Sequence, residues 1–227
     1  MWAVFKKEIK SYFLTPIGYI VIGILLLACT LFFYQTTVGV GRADLSSLYF
    51  YAAFYGLMIT IPILTMRTFA EERKNGTEQL IMTSPVSMIS VVLGKFFAAM
   101  SVIVVTLLIS LMYFGIMCYF GSPNIIVILV MMLGFILVSG AAIALGMFAS
   151  SITENQIIAG VITIAFFILS IFLPDMGNGF PDISIMNFYQ KFQVGVISLT
   201  EVVGAVSFAA MFIAFTIIVM QRRKLVK

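Results

Sequence analysis

Six uncharged apolar segments recur along the chain, and they constrain its fold more than any other feature. A helix of about 20 apolar residues is enough to cross the hydrocarbon core of a bilayer. Only 10% of the 227 residues are charged, whereas a soluble domain carries about a quarter. The predicted transmembrane helices, none of which contains Asp, Glu, Lys or Arg, are Ile17–Gln35, Leu48–Met66, Phe96–Phe120, Ile125–Ala149, Ile157–Pro174 and Val202–Met220. The sequence therefore predicts an all-α polytopic membrane protein with a single transmembrane domain over residues 1–227.

The basic residues are distributed unequally between the two sides of this predicted bundle. All but two of the 13 Lys and Arg residues fall on the side of the termini, and the two exceptions are Arg42 and Lys191. Because Lys and Arg are enriched in cytoplasmic loops, both termini are predicted to be cytosolic. Six spans, an even number, likewise place both termini on the same side of the cell membrane. The net charge of +4 thus reflects topology and gives no indication of nucleic-acid binding.

Residues 1–15 form an amphipathic unit ahead of the first span. Apolar side chains recur there at three- and four-residue steps, at Trp2, Phe5, Ile9, Tyr12 and Phe13. The other face carries Lys6, Lys7, Lys10 and Ser11. This pattern predicts a helix that lies in the membrane interface. It is compatible both with a plain lipid anchor and with a contact to a cytosolic partner.

Residues 175–201 form the longest connection on the outer side. Helix-breaking residues open it, at Gly177, Gly179 and Pro181. Apolar residues then recur at helical spacing, at Ile185, Phe188, Tyr189, Phe192 and Val196. We predict a short external helix, amphipathic or re-entrant, between spans five and six.

Small residues recur four positions apart in two of the predicted spans. They are Gly140, Ala142, Ala144 and Gly146 in the fourth span, and Ala52 and Gly56 in the second. Such spacing lets helix backbones approach closely. We interpret these positions as packing sites within the chain rather than as a dimer seam.

Residues 67–85 form the one highly charged segment between two apolar runs. Apolar residues, including Phe69 and Leu80, are retained among its charges. Gly76 breaks a helix and can adopt positive φ, and Thr77 can cap the helix that follows. We predict two short helices with a bend at Gly76, which present a surface able to dock into another protein.

The residues of this segment resemble a known family. Arg67-x-Phe-Ala-Glu-Glu-Arg-x-x-Gly-Thr-x-x-Leu80, followed by Ser84-Pro85 and by Val92-Leu-Gly-Lys-Phe96, is similar to the first cytosolic loop of ABC-2 type transporter permeases. The chain start, from Phe5 to Tyr19, resembles the start of the same permeases. Among these the similarity is greatest to the gliding-motility type, which suggests a bacterial source.

The resemblance implies a half-transporter that dimerises with a second permease copy or a paralogue and binds two cytosolic ATPase subunits. Residues 67–95 would be the coupling loop, whose ATPase contacts would be Glu71, Glu72, Arg73, Gly76, Thr77 and Leu80. The turn at 150–156, with Glu154, would be a second contact. The second and fifth spans would face the pathway, and Gly160 would allow close approach at the subunit seam.

No catalytic or nucleotide-binding motif accompanies this loop. Gly94-Lys95 precedes Phe96, without the Gly-x-x-x-x-Gly-Lys-Ser/Thr frame of a phosphate-binding loop. The chain contains no His, and neither Cys29 nor Cys118 has metal-ligand spacing. We therefore expect that the protein is not an enzyme and binds no cofactor directly, with ATP and Mg held by the partner ATPase.

The predicted function is the transmembrane permease subunit of an ATP-driven exporter. A stand-alone channel or secondary transporter is an alternative, although such carriers usually place ionisable groups within their spans. An accessory membrane protein that recruits a cytosolic partner is another. Lipid-linked cargo, peptide, polysaccharide and small hydrophobic compounds all remain open as substrates, as do homodimer and heterodimer.

Overall fold

The computed structural model describes residues 1–40, 45–121, 123–172, 185 and 187–226, and the folded elements among them are helical. Two π-helical segments, Phe33–Val38 and Ala52–Gly56, interrupt the α-helices. The α-helices are α1 Trp2–Leu14, α2 Pro16–Phe32, α3 Ser46–Tyr51, α4 Leu57–Thr65, α5 Ala70–Lys74, α6 Glu78–Thr83, α7 Met88–Phe120, α8 Ile125–Ile152, α9 Gln156–Phe172, α10 Asn187–Gln193 and α11 Leu199–Val226. The all-α prediction is confirmed.

Five helical stretches of the described residues are long and apolar enough to cross a membrane. They are Pro16–Val38, Ser46–Lys74, Met88–Phe120, Ile125–Ile152 and Leu199–Lys224, and they contain the predicted spans one to four and six. The predicted fifth span corresponds to α9, whose 17 residues rise about 26 Å against a hydrocarbon core of about 30 Å. Its predicted end, Pro174, lies outside the described residues, and the count of six crossings stays a prediction.

Local sequence signals explain where several helices begin. Pro16, which lacks a backbone N–H, stands at the first position of α2 directly after α1, where no donor is needed. Ser87 caps α7 because its hydroxyl oxygen accepts from Ser90 N. Asn124 caps α8 by accepting from Ile126 N. Helix α8 therefore begins at the predicted Ile125, whereas α7 begins at Met88, before the predicted start of its span at Phe96.

Helix α8 forms the centre of the bundle. Within the chain it packs against α4, α7, α9, α10 and α11, and its small residues make this possible. A Cβ added to Gly146 would overlap the Thr65 hydroxyl of α4, and one added to Gly56 would lie 2.7 Å from Leu25 of α2. The interpretation of these small residues as packing sites within the chain is confirmed.

A short helix, α10, lies in the connection where the external helix was predicted, and its position outside the membrane stays a prediction. Its rings of Phe188, Tyr189 and Phe192 are buried, although the segment before it, with Gly177, Gly179 and Pro181, lies outside the described residues. Two glycines leave room for these side chains. A Cβ on Gly134 would lie within 2.8 Å of Phe192, and a Cβ on Gly204 would lie 2.8 Å from Phe188. Helix α10 is therefore seated on α8 and α11 rather than tethered loosely.

One end of the bundle collects the charged residues, and we call it the charged end. It contains residues 67–85, the start of α7 and the ends of α8 and α11. Glu8 of α1 lies 3.3 Å from Lys95 Nζ, and Arg223 of α11 lies 3.5 Å from Glu78. The first and last described helices therefore meet the same loop, at the same end of the bundle.

The tight approach of α8 to α4 yields a stability prediction. Gly146→Ala introduces a methyl group against Thr65, and such overpacking costs about 1–3 kcal/mol of unfolding free energy. Gly140→Ala is the matched control on the same helix, because its Cβ would meet Met100 at an ordinary 3.6 Å. We expect a lower midpoint of SDS-induced unfolding, followed by circular dichroism, for Gly146→Ala alone. Equal midpoints for the two variants would contradict the packing described.

Candidate functional site

The charged loop folds as two short helices with a sharp turn between them. Helix α5 ends at Lys74, helix α6 begins at Glu78, and Gly76 in the turn adopts φ of 71°. This left-handed conformation favours glycine, so the predicted bend at Gly76 is confirmed. Thr77 directly precedes α6, as predicted for a cap, and its carbonyl accepts from Leu80 N at 3.1 Å. Its hydroxyl donates to the Glu72 carbonyl at 3.2 Å and so also closes the end of α5.

A buried lysine holds the start of the loop from inside. Lys95 of α7 is 2% exposed, and its ammonium lies 2.8 Å from a Glu72 carboxylate oxygen and 3.3 Å from one of Glu8. It also donates to the Thr68 carbonyl at 2.7 Å. A buried ammonium is tolerated only when its donors are paired. Lys95 thus joins α1, α7 and the loop at one atom.

The first turn of α5 is fixed to the end of α8 by one hydroxyl. Ser150 is fully buried, and its oxygen accepts from the backbone N–H groups of Phe69 and Ala70, each at 3.1 Å. The same hydroxyl donates to the Met66 carbonyl at 3.1 Å. The first N–H groups of a helix have no partner within it. Ser150 supplies that partner and so anchors α5 to α8.

Two arginines fasten the loop to the carboxyl end of α8. Arg73 donates to the Ile152 carbonyl at 3.4 Å and pairs with Glu154, while Arg223 donates to the same carbonyl at 3.3 Å. The last carbonyls of a helix lack partners within it and carry partial negative charge, so they attract both guanidinium groups. Arg223 also pairs with Glu78, which is 5% exposed. The second helix of the loop is thereby held by α11.

The predicted contact residues divide into a held group and an exposed group. Glu72 faces inward to Lys95, Glu71 pairs with Arg67 at 3.4 Å, and Arg73 pairs with Glu154. Gly76, Thr77 and Leu80 are exposed, and Leu80 is 72% exposed. We call the exposed group the loop tip, which comprises Lys74, Asn75, Gly76, Thr77, Gln79 and Leu80.

A polar cleft of about 240 Å³ lies between α1 and the loop. Its charged lining contains three cationic side chains and three carboxylates, namely Lys7, Arg67, Lys95, Glu8, Glu71 and Glu72. Tyr12 closes its inner side, and burial raises the pKa of that phenol well above its usual value. The opposite charges largely neutralise one another, so the cleft selects neither an anion nor a cation. Among the described residues no cluster of three or more metal-ligating side chains occurs.

Sequence reasoning assigned no individual role to five residues of this site, Glu8, Glu78, Lys95, Ser150 and Arg223, although three of them lie in the predicted segments 67–95 and 150–156. Lys95 stands one position before a predicted span, and Glu8 is the single acid in a basic helix. Both features mark residues that need a partner. Their pairing joins positions 87 apart in the sequence, so only the packed structure identifies it. No pattern in the sequence distinguishes Ser150 from the other serines.

Gly160 of α9 lies beside the second span of its own chain. A Cβ there would be 3.7 Å from Met66 Sδ, which is an ordinary contact. Gly160 therefore contributes to the packing between α9 and the end of α4. Its role at a seam between subunits stays a prediction.

The fold defines a multi-pass membrane protein with a charged loop held between its helices. Residues 34–222 match the family described as ABC-2 family transporter protein, and the chain belongs to this family. The protein is therefore a membrane permease component of an ABC transporter, and such permeases are transmembrane components rather than catalysts. A search of curated proteins gave no significant match. The gliding-motility subtype stays a prediction.

The buried ammonium yields the second prediction. Lys95→Met leaves the Glu8 and Glu72 carboxylates with only the exposed Lys7, which lies 3.7 and 3.6 Å from them, and loss of one partner of a buried ion pair costs about 3–5 kcal/mol. We expect a large fall in the detergent unfolding midpoint. Lys74→Met, at an exposed lysine of the loop tip, is the matched control and should leave the midpoint unchanged.

A third variant separates lost charge balance from lost packing volume. Lys95→Met combined with Glu8→Gln and Glu72→Gln replaces both carboxylates with neutral amides and keeps the methionine. We expect this triple variant to regain most of the lost midpoint. A triple variant as unstable as Lys95→Met would show that the ion pairs are not the cause.

Proposed function

We propose that this chain is the permease subunit of an ATP-driven exporter, coupled to a separate cytosolic ATPase through the loop tip. One observation carries the proposal: an exposed tip projects from a loop whose flanks are ion-paired or hydrogen-bonded to α1, α7, α8 and α11. A freely moving loop would absorb a push from a partner. A loop held on all sides passes that push to the helices.

The residue roles of this proposal follow from exposure. Gly76, Thr77 and Leu80 would touch the ATPase directly, since they lie on the loop tip. Glu71 and Arg73 would form the rim of the contact, because they are half-buried. Glu72 would act from inside by holding the loop to Lys95, and Glu154 would act as the second contact through its pairing with Arg73. ATP and Mg would be bound on the ATPase alone.

The path of the push follows the contacts already described. Displacement of the loop moves the end of α4, which precedes it, and the start of α7, which follows it. Ser150 passes the same displacement to α8, and Arg223 passes it to α11. The bundle would then switch the pathway between its two faces, with α4 and α9 lining it, while ATP binding and hydrolysis occur on the partner.

The proposed orientation places the charged end in the cytosol of a bacterial cell. The excess of Lys and Arg at this end supports the orientation. Helix α1 and Arg223 also lie at this same end, which requires an even number of crossings. Helix α9 would then be the fifth of six spans. A second permease copy or a paralogue would complete the transporter as a dimer.

The test is purification of the tagged protein in mild detergent, with identification of the proteins that co-purify. We expect a stoichiometric ATPase subunit. Leu80→Arg should reduce its recovery by on the order of tenfold, since central contact residues contribute about 2 kcal/mol or more. Leu14→Arg is the matched control, because Leu14 is also an exposed leucine. Its exposed fraction is 83%, against 72% for Leu80.

Other outcomes favour the alternatives. Absence of an ATPase in several detergents would favour a stand-alone channel or an accessory protein. An ATPase recovered equally with both variants would move the contact away from the loop tip. Charge reversal at Glu72 is a poor probe of docking, because it places a cation against Lys95 and disturbs the permease itself.

A further inference from the structure

An apolar groove of about 570 Å³ lies between α1 and the first half of α7, on the outer surface of the bundle. Its lining includes Trp2 and Phe5 from α1, and Phe97, Met100 and Val104 from α7. The hydroxyl of Ser101, which also lines it, donates to the Ala98 carbonyl of its own helix at 2.6 Å. The groove therefore offers an apolar surface without a free polar group along its length.

Close contact at one end shapes this groove. Gly94 lets α1 approach α7, since a Cβ there would lie 3.1 Å from the Val4 side chain. Trp2 stacks on Phe5 with ring centroids 5.3 Å apart and remains 71% exposed. A large aromatic ring therefore overhangs the groove where α1 begins.

The length of the groove matches one leaflet of a bilayer. Its α7 lining extends from Gly94 to Val105, a rise of about 16 Å at helical geometry. Half of the hydrocarbon core measures about 15 Å. An extended acyl chain fits alongside α7 over this distance, and its headgroup then lies level with α1.

The charge beside the groove indicates which headgroup fits. Lys6 follows Trp2 by four residues and Lys10 follows Lys6 by four, so the two lysines lie about 40° and about 80° around α1 from Trp2, along one edge of its apolar face. Both lysines are exposed, and no carboxylate of the described residues pairs with them. The single acid of α1, Glu8, faces Lys95 instead. The two lysines do not line the groove itself, but they lie on the same helix as its Trp2 and Phe5 and are free to meet a headgroup there.

We propose that this groove binds one anionic phospholipid, with an acyl chain along α7 and the headgroup phosphate against Lys6 and Lys10. The site assigns α1 a lipid-binding role distinct from the contact at the loop tip. It depends on the protein being embedded in a membrane and is independent of any ATPase partner. Failure of one proposal is thus distinguishable from failure of the other.

Trp2 is the single tryptophan of the chain, so its fluorescence reports directly on the groove. The purified full chain is reconstituted into phosphatidylcholine vesicles that contain a minor, equal fraction of brominated lipid. The bromines sit on the acyl chains of either phosphatidylglycerol or phosphatidylcholine and quench tryptophan on contact. We expect brominated phosphatidylglycerol to be enriched at Trp2 by on the order of tenfold over brominated phosphatidylcholine.

Two double variants test the role of the lysines. Lys6→Gln with Lys10→Gln should abolish the preference, whereas Lys74→Gln with Lys224→Gln should retain it. The control removes the same charge from the same end of the bundle, away from the groove. Equal quenching by both lipids in the unaltered protein would overturn the anionic preference. A preference lost equally in both double variants would assign it to general surface charge and overturn the site.

Discussion

The ammonium of Lys95 is the interaction on which the charged end depends. A lysine that is 2% exposed must satisfy its donors within the protein, and it does so with groups from three separate segments. Glu8 comes from α1, while Glu72 and the Thr68 carbonyl come from the loop. Loss of either carboxylate would leave the buried ammonium with fewer partners, which destabilises the packed charged end. The pairing therefore makes the relative positions of α1, α7 and the loop mutually dependent.

Around this point the loop combines a fixed base with a free tip. Ser150 holds the start of α5, Arg73 and Arg223 converge on the Ile152 carbonyl, and Leu80 stays exposed. Rigidity at the base and exposure at the tip are what a partner needs in order to act on a membrane bundle from outside it.

The spans and the loop could be predicted from sequence because their signals are local. Apolar runs of sufficient length specify transmembrane helices, and Gly76 specifies the bend because its conformation requires glycine. The inward position of Glu72 could not be predicted, because a carboxylate on a charged loop is expected to be exposed. Only the packed structure shows that Lys95 lies beside it. The bond from the Thr77 hydroxyl to the Glu72 carbonyl could not be predicted for a related reason: a hydroxyl after a glycine can contact the helix before it as well as the helix after it.

The two π-helical segments are Phe33–Val38, at the end of the first span, and Ala52–Gly56, within the second. The second of them changes which side of its span a side chain faces. Each such segment accommodates one residue more than an α-helix of equal rise, which turns everything beyond it by about 100°. Tyr51 and Tyr55 stack on Phe32 at this level. Side chains before and after Ala52–Gly56 therefore lie on different faces of the second span, although regular α-helical spacing would place them on the same face. The second span can therefore present one surface near the charged loop and another at its opposite end, whereas Phe33–Val38 ends the first helical stretch and has no described helix directly beyond it.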